Sequence, residues 1–441
     1  MKKYKVAIIG GGPAGMMAAI ASGEELKESG KVVLIEKNEF LGKKLLLTGG
    51  GRCNITNLSP IKKILNKFQN KEKNFLKHSF YTLDNKSLLK IFEEKGLEFK
   101  QEENGRCFPI TDDANSVLKV LKEYLDDLNI DIILNNPVNS ISKNKENNNI
   151  YGKNNEYFTI KTNNEIINAE KIILATGGMS YPHTGSTGDG YKIAKKFEHS
   201  TSPLTPGAIP LKVEDNLLKQ LSGITLENIA ISYKFKKLAN LKKVTSNGNV
   251  LITHFGLSGP GILDISNHIS KDNQTKFPHN FDKKEIFLED TYINLDLIPD
   301  LSENDLNKKI IADSENHGKL MIKNYLKNYL KNRFIDFFLN RLEVSGNKTL
   351  SNMTKKDKNR IMNNLKDFQI KIKSLPVQTA MITCGGIKID EINPKTMESK
   401  LAKVCGLYFA GELLEPHGPT GGYNLQIAFS TGYLAGKSAT K

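Results

Sequence analysis

Three glycines near the start of the chain have the spacing of a phosphate-binding turn. The segment Gly10-Gly11-Gly12-Pro13-Ala14-Gly15 follows a β-branched apolar run at residues 6–9 and precedes a helix-like stretch at residues 16–26. In such a segment Gly10 allows the tight turn, Gly12 lets the backbone approach a pyrophosphate, and Gly15 lets helix and strand pack closely. The N-terminus of the helix then directs free N–H groups and the positive end of its dipole at the phosphates. We therefore expect a phosphate site at Gly10, Gly12, Pro13, Ala14 and Gly15.

An acidic residue follows this turn at the distance that a ribose contact requires. A second apolar run at residues 32–35 ends at Glu36, roughly twenty residues beyond the glycines. A carboxylate there can accept both hydroxyls of an adenosine ribose. Strand, turn, helix, strand and acid therefore occur in the order of a dinucleotide-binding βαβ unit, with Lys37 beside the acid. A Gly-rich loop that binds no ligand is the weaker alternative.

A second glycine-rich segment predicts a loop that folds over a ligand. Residues 48–57 contain three successive glycines with Thr, Asn and one Arg, a composition unsuited to helix or strand. Such a loop presents N–H groups to an anionic or heteroaromatic ligand, although a plain surface loop is the alternative. The cofactor contacts expected here are Lys44, Leu45, Gly50, Gly51, Arg52, Cys53 and Asn54. Arg106, in a second Gly-Arg-Cys tripeptide, either reaches toward the ligand or lies in a surface turn.

The end of the chain returns to α/β character and predicts FAD as the cofactor. A buried strand ends in Ala175-Thr176-Gly177, at the edge where α/β sheets place ligands, and Val138 lies in a strand before it. A later strand ends in Gly411-Glu412, and Gly421-Gly422-Tyr423-Asn424-Leu425 opens a small-residue helix. FAD needs such a second Gly-acid turn, whose carboxylate accepts a ribityl hydroxyl. The helix N-terminus can stabilise the anion that forms on the flavin pyrimidine ring during reduction.

Composition bounds the remaining possibilities. The chain has 441 residues, 39% of them hydrophobic, which suggests two or three domains with packed cores. Because no run of about eighteen apolar residues occurs, we expect no transmembrane helix. Four cysteines without a CxxC pair argue against a disulfide framework, so we expect a cytoplasmic protein with reduced thiols and no metal centre.

The net charge of +15 suggests a polyanionic partner, but part of this charge has a compositional explanation. The chain is rich in Lys, Asn and Ile and has only five Arg, a bias typical of AT-rich genomes. Residues 322–334 predict one amphipathic helix with Lys323, Lys327 and Lys331 on its polar side. This side is either an ordinary solvated face or an RNA-binding face.

The pattern of elements predicts an α/β fold with a Rossmann-like FAD-binding domain that is interrupted by two inserted domains. Prolines 203, 206 and 210 mark the first boundary. Alternating apolar runs at residues 229–235, 250–253 and 286–297 predict an antiparallel β domain, and a polar hairpin is expected at 142–155. The predicted domains are 1–200 and 373–441 for FAD, 201–300 for the β domain and 301–372 for a basic helical domain.

The chain resembles the BaiN/YhiN-type family of bacterial flavoproteins, which are sometimes labelled aminoacetone-oxidase-like. The resemblance covers nearly the whole length and rests on the glycine segments above together with residues 105–109, 253–260 and 408–426. It implies an interrupted FAD-binding fold and NAD(P)H as electron donor. Members of this family are linked to reduction of a uridine in large-subunit ribosomal RNA to dihydrouridine, and other relatives to small-molecule reduction.

The reaction that the resemblance implies requires a hydride and a proton. Only one G-x-G-x-x-G segment is present, so NADPH or NADH would dock transiently over the flavin. Cys53 is the first candidate proton donor, with a buried structural thiol as the alternative, and His254 and His417 follow. Three functions stay open: a reductase of ribosomal RNA, an oxidoreductase of a small amine or unsaturated ring, and an RNA- or protein-binding flavoprotein without turnover.

Overall fold

The computed structural model describes residues 2–27, 29–146, 155–234, 243–272, 281 and 283–441. The chain divides into two units, the first formed by Met1–Leu204 with Ile382–Lys441 and the second by Thr205–Met381. The centre of the polar hairpin predicted at 142–155 and residue 235, the end of a predicted strand, lie outside the described residues. No helix among the described residues is long and apolar enough to cross a membrane.

The first part of the first unit supplies most of its elements. Its strands are β1 (Lys2–Ile9), β2 (Val32–Ile35), β3 (Thr56–Asn57), β4 (Phe99–Gln101), β5 (Arg106–Pro109), β6 (Asp131–Ile133), β7 (Val138–Glu146), β8 (Asn155–Thr162) and β9 (Ile166–Leu174). Its helices are α1 (Pro13–Leu26), α2 (Ile61–Leu65), α3 (Asn70–Thr82), α4 (Asn85–Glu93), α5 (Ala114–Asp127) and α6 (Asp189–Lys196).

The second unit follows, and the chain then returns to the first. The strands of the second unit are β10 (Thr205–Gly207), β11 (Leu211–Val213), β12 (Thr225–Lys234), β13 (Lys243–Thr253), β14 (Gly256–Ser258), β15 (Ile286–Asp296) and β16 (Phe368–Leu375). Its helices are α7 (Asn216–Lys219), α8 (Pro260–Asp272), α9 (Glu303–Asn316), α10 (Ile322–Tyr325), α11 (Asn332–Leu342) and α12 (Lys355–Lys366). The returning segment contributes β17 (Ile382–Cys384), β18 (Leu407–Phe409) and α13 (Tyr423–Ala439).

The main sheet of the first unit has the order β6-β2-β1-β9-β8-β7, with β18 also beside β9. β1 pairs in parallel with β2 and β9, and β18 continues the parallel arrangement. The apolar residues of β1 and β2 are buried, as expected of parallel strands covered on both faces. The predicted Rossmann-like fold is confirmed.

The second unit is built on a closed barrel of strand order β11-β14-β13-β12-β15-β16. Helices α9 to α12 lie in the chain between β15 and β16, and they share one hydrophobic core with the barrel. The rings of Phe334 and Phe338 on α11 lie 5.8 and 5.9 Å from that of Phe368 on β16. Barrel and helices belong to one unit because their aromatic side chains pack together, and the domain boundary predicted at residue 300 lies inside this unit.

The single helix predicted over residues 322–334 is wrong. α10 is followed by a 3₁₀ turn at Leu326–Asn328, and α11 begins only at Asn332. Lys331 has the extended backbone of an N-cap, with φ −66° and ψ 139°. Leu326 and Leu330 are nevertheless buried. The apolar period is therefore satisfied by two short helical segments, and periodicity alone does not show the break.

Candidate cofactor site

The glycines of the first turn have separate structural roles. Gly10 has φ +107°, and a Cβ there would lie 2.5 Å from the carbonyl oxygen of Ala175 at the end of β9. A Cβ on Gly15 would lie 1.8 Å from the carbonyl oxygen of Gly10. Both positions therefore exclude any side chain, because strand, turn and helix are in backbone contact there.

Gly12, in contrast, faces open space. A Cβ added at Gly12 would meet no heavy atom of the described residues within 4 Å. Gly12 is also the N-cap of α1, Pro13 occupies the first helical position, and no side chain of the described residues caps this end. The free N–H groups at this end of α1 are therefore available to an anion.

Glu36 is held against the same turn at the carboxyl end of β2. Its Oε2 accepts a hydrogen bond of 2.6 Å from the Gly11 N–H. Its Oε1 accepts from the backbone N–H and the side-chain amide of Asn38, at 2.8 and 2.7 Å. The carboxylate is thus fixed beside the phosphate turn, where the ribose of a dinucleotide bound at α1 would lie.

Two polar side chains near the carboxyl ends of the parallel strands have buried atoms without a hydrogen-bond partner among the described residues. One is the Thr176 hydroxyl, directly after β9, and the other is the Asn136 amide. Asn136 is 1% exposed, and its backbone N–H donates to the Glu36 carbonyl oxygen at 3.0 Å. Buried polar groups normally have a hydrogen-bond partner, so a ligand group or bound water is expected at both. Thr176 was predicted to contact the cofactor, whereas Asn136 was missed because nothing in the sequence distinguishes it from other Asn residues.

The returning segment brings Glu412 to the same edge of the sheet. Glu412 Oε2 accepts from Lys44 Nζ at 2.6 Å, and Oε1 accepts from the Ser180 hydroxyl at 3.0 Å and the Thr383 N–H at 2.9 Å. Lys44 and Glu412, both predicted cofactor residues, thus form an ion pair across 368 positions of sequence. Lys37, another candidate, pairs with Asp189 at 2.7 Å. Lys44 Nζ also donates to the Ser180 hydroxyl at 2.5 Å and Lys37 Nζ to the Thr187 hydroxyl at 2.6 Å, so both lysines hold the loop before α6.

Helix α13 packs against α1 in the same direction, and its N-terminus extends past the N-terminus of α1. A Cβ on Gly432 would lie 2.2 Å from the Ala14 carbonyl oxygen, and one on Gly436 would lie 2.3 Å from that of Ala18. Ala14 is the second residue of α1, but Gly432 is the tenth residue of α13. At 1.5 Å per residue, the N-terminus of α13 therefore projects about 12 Å past that of α1. Two helix N-termini at staggered depths suit a ligand that is anionic at two separated positions.

The glycine loop presents a second open surface. Gly49, Gly50 and Gly51 have left-handed φ angles of +59°, +70° and +90°. A Cβ at Gly50 or Gly51 would meet no described heavy atom within 4 Å. The backbone of this loop is therefore accessible, and its role in covering a ligand stays a prediction.

The sequence profile of the HI0933-like protein Rossmann domain matches residues 4–438. The chain belongs to the HI0933-like family. The resemblance drawn from the sequence motifs is thereby confirmed, and membership places the protein among flavin-dependent oxidoreductases. The open face of Gly12, the open glycine loop and the unpartnered Thr176 hydroxyl fit bound FAD, although the individual contacts remain predictions.

Relatives of this HI0933-like protein align over almost their whole lengths. It is 28% identical over 439 residues to the 3-dehydro-bile acid delta(4,6)-reductase of Clostridium scindens, with 99% of each chain covered. It is 27% identical over 436 residues to the ribosomal RNA dihydrouridine synthase of Escherichia coli, covering 98% of this chain and 97% of the relative. A Haemophilus influenzae protein of the same name is 27% identical, with 98% of both chains covered.

Solved structures share the fold of the HI0933-like protein at low sequence identity. The 3-ketosteroid delta1-dehydrogenase of Sterolibacterium denitrificans gives a TM-score of 0.51 at 12% identity, covering all of both chains. A quinol fumarate reductase chain of Escherichia coli gives 0.50 at 16% identity, covering 100% of this chain and 70% of the other. These similarities show the fold alone.

The Arg52 side chain, predicted to contact the cofactor, has partners within the protein. Its guanidinium pairs with Glu102 at 2.7 Å and Asp112 at 3.2 Å, and it lies 4.0 Å from the centre of the Phe108 ring. Arg106 pairs with the same Glu102 at 3.3 Å. Hydrogen bonding from Arg52 holds the pKa of Glu102 below its ordinary value. The side chain of Arg52 thus anchors the glycine loop through partners that lie about fifty positions away in the sequence.

Cys53 does not have the properties expected of a proton donor. The side chain is completely buried, and desolvation raises the pKa of its thiol to about 12. A side chain that donates a proton to the substrate near neutral pH needs a pKa not far above neutral. The geometry favours the alternative, a structural thiol in the core of the first unit.

The other predicted cofactor residues have local partners. Asn54 Oδ1 accepts from the Cys107 N–H at 3.0 Å, and the Asn424 amide bonds both backbone groups of Gly418 at 2.8 and 2.9 Å. Leu45 and Tyr423 are buried, whereas Val138 and Leu425 are half-buried. All of these residues lie in the first unit, and the hydrogen bonds of Asn54 and Asn424 stabilise its loops.

The candidate histidines and the candidate RNA-binding lysines lie outside the segments described so far. His254 is exposed in the turn between β13 and β14 of the second unit, 4.9 Å from the Phe255 ring. His417 is half-buried in the loop that precedes α13. Lys323 and Lys327 are exposed on α10 and the turn after it, whereas Lys331 pairs with Glu227 at 2.9 Å. Among the described residues, no group of three or more His, Cys, Asp or Glu side chains is placed to hold a metal ion.

Proposed function

We propose that this protein is an FAD-dependent reductase that takes electrons from NAD(P)H and reduces a carbon–carbon double bond. The observation that carries FAD as the cofactor is the staggered pair of N-termini, with α13 projecting about 12 Å past α1. The names of the relatives support reduction of a double bond. In FAD a ribityl chain separates the pyrophosphate from the flavin ring. The pyrophosphate would therefore lie at the N-terminus of α1, and the pyrimidine ring of the flavin near the N-terminus of α13. A nicotinamide dinucleotide alone would leave the second N-terminus without use.

The side chains have distinct tasks in this proposal. When bound, FAD supplies the hydride chemistry that no side chain can perform. The N–H groups at the start of α1 hold its phosphates, and Glu36 holds the adenosine ribose. Glu412, positioned by Lys44 and Ser180, accepts from the ribityl chain. The N-terminus of α13 stabilises negative charge on the pyrimidine ring.

We further propose that the substrate is a uridine in 23S ribosomal RNA. The Escherichia coli and Haemophilus influenzae relatives, named ribosomal RNA dihydrouridine synthases, support this substrate. Charge supports it as well, because residues 302–366 contain fourteen Lys or Arg against seven Asp or Glu. The rest of the second unit has thirteen against twelve, so the positive charge of this unit is concentrated in its helical segment. Such a segment attracts RNA phosphates, and ribosomal RNA as partner agrees with a cytoplasmic location.

Reduction of the uracil double bond also needs a proton at C5. Because Cys53 is buried with a raised pKa, we propose His254 as the proton donor. Imidazole is the side chain that exchanges protons most readily near neutral pH.

A small unsaturated ring is the second candidate substrate. It is favoured by the Clostridium scindens relative, whose name describes reduction of a bile acid and whose identity of 28% is similar to that of the RNA-modifying relatives. A flavoprotein that binds RNA or protein without turnover is the remaining alternative.

Mapping of dihydrouridine in ribosomal RNA tests the proposal. Cells lacking the gene should lose one dihydrouridine from 23S RNA, and the wild-type gene should restore it. The Gly12→Val gene is the matched control, since the variant protein should fold without FAD. Intact dihydrouridine in the deletion strain would contradict the RNA substrate, and NADPH-dependent reduction of a dienone bile acid by the purified protein would then support the small-molecule alternative.

A further inference from the structure

Two segments assigned to the cofactor are connected through the short strand β3. The glycine loop ends a few residues before β3, which pairs with β5 as Thr56 with Cys107 and Asn57 with Arg106. The start of α13 lies against the same strand, because a Cβ on Gly422 would lie 2.3 Å from the Thr56 carbonyl oxygen. The strand therefore has the glycine loop at one end and the N-terminal turn of α13 against its backbone.

Asn57 makes the side-chain connection between these segments. The residue is 1% exposed. Its Nδ2 donates to the Gly421 carbonyl oxygen at 3.1 Å and to that of Asn104 at 3.0 Å. Its Oδ1 accepts from the Ser59 N–H at 3.0 Å, so both donor and acceptor functions of the amide are used. Loss of the amide would remove both of these hydrogen bonds, and with them the side-chain connection between β3 and the turn that precedes α13.

The position of Gly421 matters because it precedes the N-cap of α13. N–H groups and the positive dipole end at a helix N-terminus stabilise nearby negative charge, and the effect falls off within one turn. A flavin gains negative charge on its pyrimidine ring when it is reduced. A small displacement of this turn should therefore weaken binding of reduced FAD more than binding of oxidised FAD.

We propose that Asn57 is a positioning residue that holds the N-terminal turn of α13 in register with the glycine loop and thereby sets the reduction potential of the bound FAD. This inference rests on the proposed function, since it requires FAD at the site. Asn57 acts through the backbone of Gly421 and touches no reacting atom. Its effect is on the ratio of the dissociation constants of oxidised and reduced FAD, which determines the potential.

The test compares N57A with a matched variant, N85A. Asn85 is also a buried Asn, 3% exposed, and its Nδ2 donates to the carbonyl oxygens of Asn57 and Ser59 at 2.6 and 3.0 Å. Both variants should lose thermal stability. Only N57A should have a more negative midpoint potential, measured on the holoenzyme by equilibration with a redox dye, with the dissociation constant of reduced FAD raised roughly tenfold more than that of oxidised FAD.

An unchanged potential in N57A, or an equal shift in N85A, would overturn the inference. If N57A does not fold, Asn57→Ser keeps a small polar side chain and should shift the potential in the same direction by a smaller amount. Wild-type protein that binds no FAD would instead contradict the proposed function itself. If the wild type binds FAD but the Asn57 variants have the wild-type midpoint potential, only the role of Asn57 is contradicted.

Discussion

At Gly12 the structure leaves room for a side chain that a bound pyrophosphate would not tolerate. Gly12 has φ −82° and ψ −175°, an extended conformation that suits valine, and an added Cβ meets no described atom within 4 Å. We therefore expect Gly12→Val to fold with nearly wild-type stability but without FAD. Cofactor content after denaturation and the melting temperature measure the two effects, and the wild type should release FAD and not FMN.

Gly15→Ala is the contrasting control for that experiment. Its Cβ would lie 1.8 Å from the Gly10 carbonyl oxygen, so the variant should be destabilised even when no cofactor is present. If Gly12→Val binds FAD as tightly as the wild type, the pyrophosphate does not lie against this turn.

Burial of Cys53 predicts a pH-dependent contribution to stability. Desolvation raises the pKa of the folded thiol to about 12 from an ordinary value of about 9. The folded state thus keeps a proton that the unfolded state loses, so this stabilisation is complete below pH 9 and is lost as pH rises toward 12. Between those limits Cys53→Ala should show a shallower decline of unfolding free energy than the wild type, by up to about 1.4 kcal/mol per pH unit. Urea unfolding at pH 8 to 11 measures it.

The same variant tests the catalytic role of this thiol. Cys53→Ala should reduce substrate within a few-fold of the wild-type rate, because a thiol with so high a pKa is a poor proton donor near neutrality. A loss of roughly 10²–10⁴-fold, the usual effect of removing a general acid, would restore Cys53 as the donor.

His254 supplies the corresponding prediction for the proton donor. His254→Gln should leave bleaching of the flavin by NADPH unchanged while product formation falls by roughly 10²–10⁴-fold. His317→Gln is the matched control, since His317 is another exposed histidine of the second unit. If His254→Gln forms product as fast as His317→Gln, His254 is not the proton donor, and His417 becomes the candidate.

At the scale of elements, local signals specify the site only in part. The β1–α1–β2 unit is predictable because glycine spacing, apolar runs and Glu36 all lie within about thirty residues. The Lys44–Glu412 ion pair joins residues 368 positions apart, and the Asn57–Gly421 hydrogen bond spans 364. Such contacts depend on the tertiary fold, which places the end of the chain beside its beginning. Sequence patterns therefore identify the cofactor segments but not what holds them together.

The broken helix changes the prediction for the RNA-binding lysines. Lys323 and Lys327 are exposed on one short helical segment, whereas Lys331 is the N-cap of the next and pairs with Glu227 at 2.9 Å. Changing Lys323 and Lys327 together to Gln should flatten the slope of log affinity against log salt by about two units if both contact phosphate. Lys331→Gln should change it less, because its charge is already partly neutralised.

Filter binding of ribosomal RNA at several salt concentrations measures these slopes. NADPH oxidation without RNA should be the same in all variants, because none of these lysines belongs to the cofactor unit. Unchanged affinity and slope in the double variant would assign this surface to solvent and would favour a small-molecule substrate.

For the whole molecule, the two units divide the proposed tasks. The first has its own hydrophobic core and contains the cofactor segments, and the second has a separate core and the basic helical segment. A net charge of +15 by itself does not identify an RNA-binding protein when lysine enrichment reflects genome composition. The concentration of charge between residues 302 and 366 is the more specific feature, since compositional drift would raise the charge of the barrel as well.

One anaerobic titration tests the central proposal most directly. NADPH is added until the flavin absorbance of the purified protein is bleached, and 23S ribosomal RNA from the deletion strain or from the wild-type strain is then added. We predict that RNA from the deletion strain restores the oxidised flavin spectrum with stoichiometric formation of dihydrouridine, whereas RNA that is already modified does not. Failure of NADPH to bleach the flavin, or an identical response to the two RNAs, would contradict the assignment of this protein as an FAD-dependent reductase of ribosomal RNA.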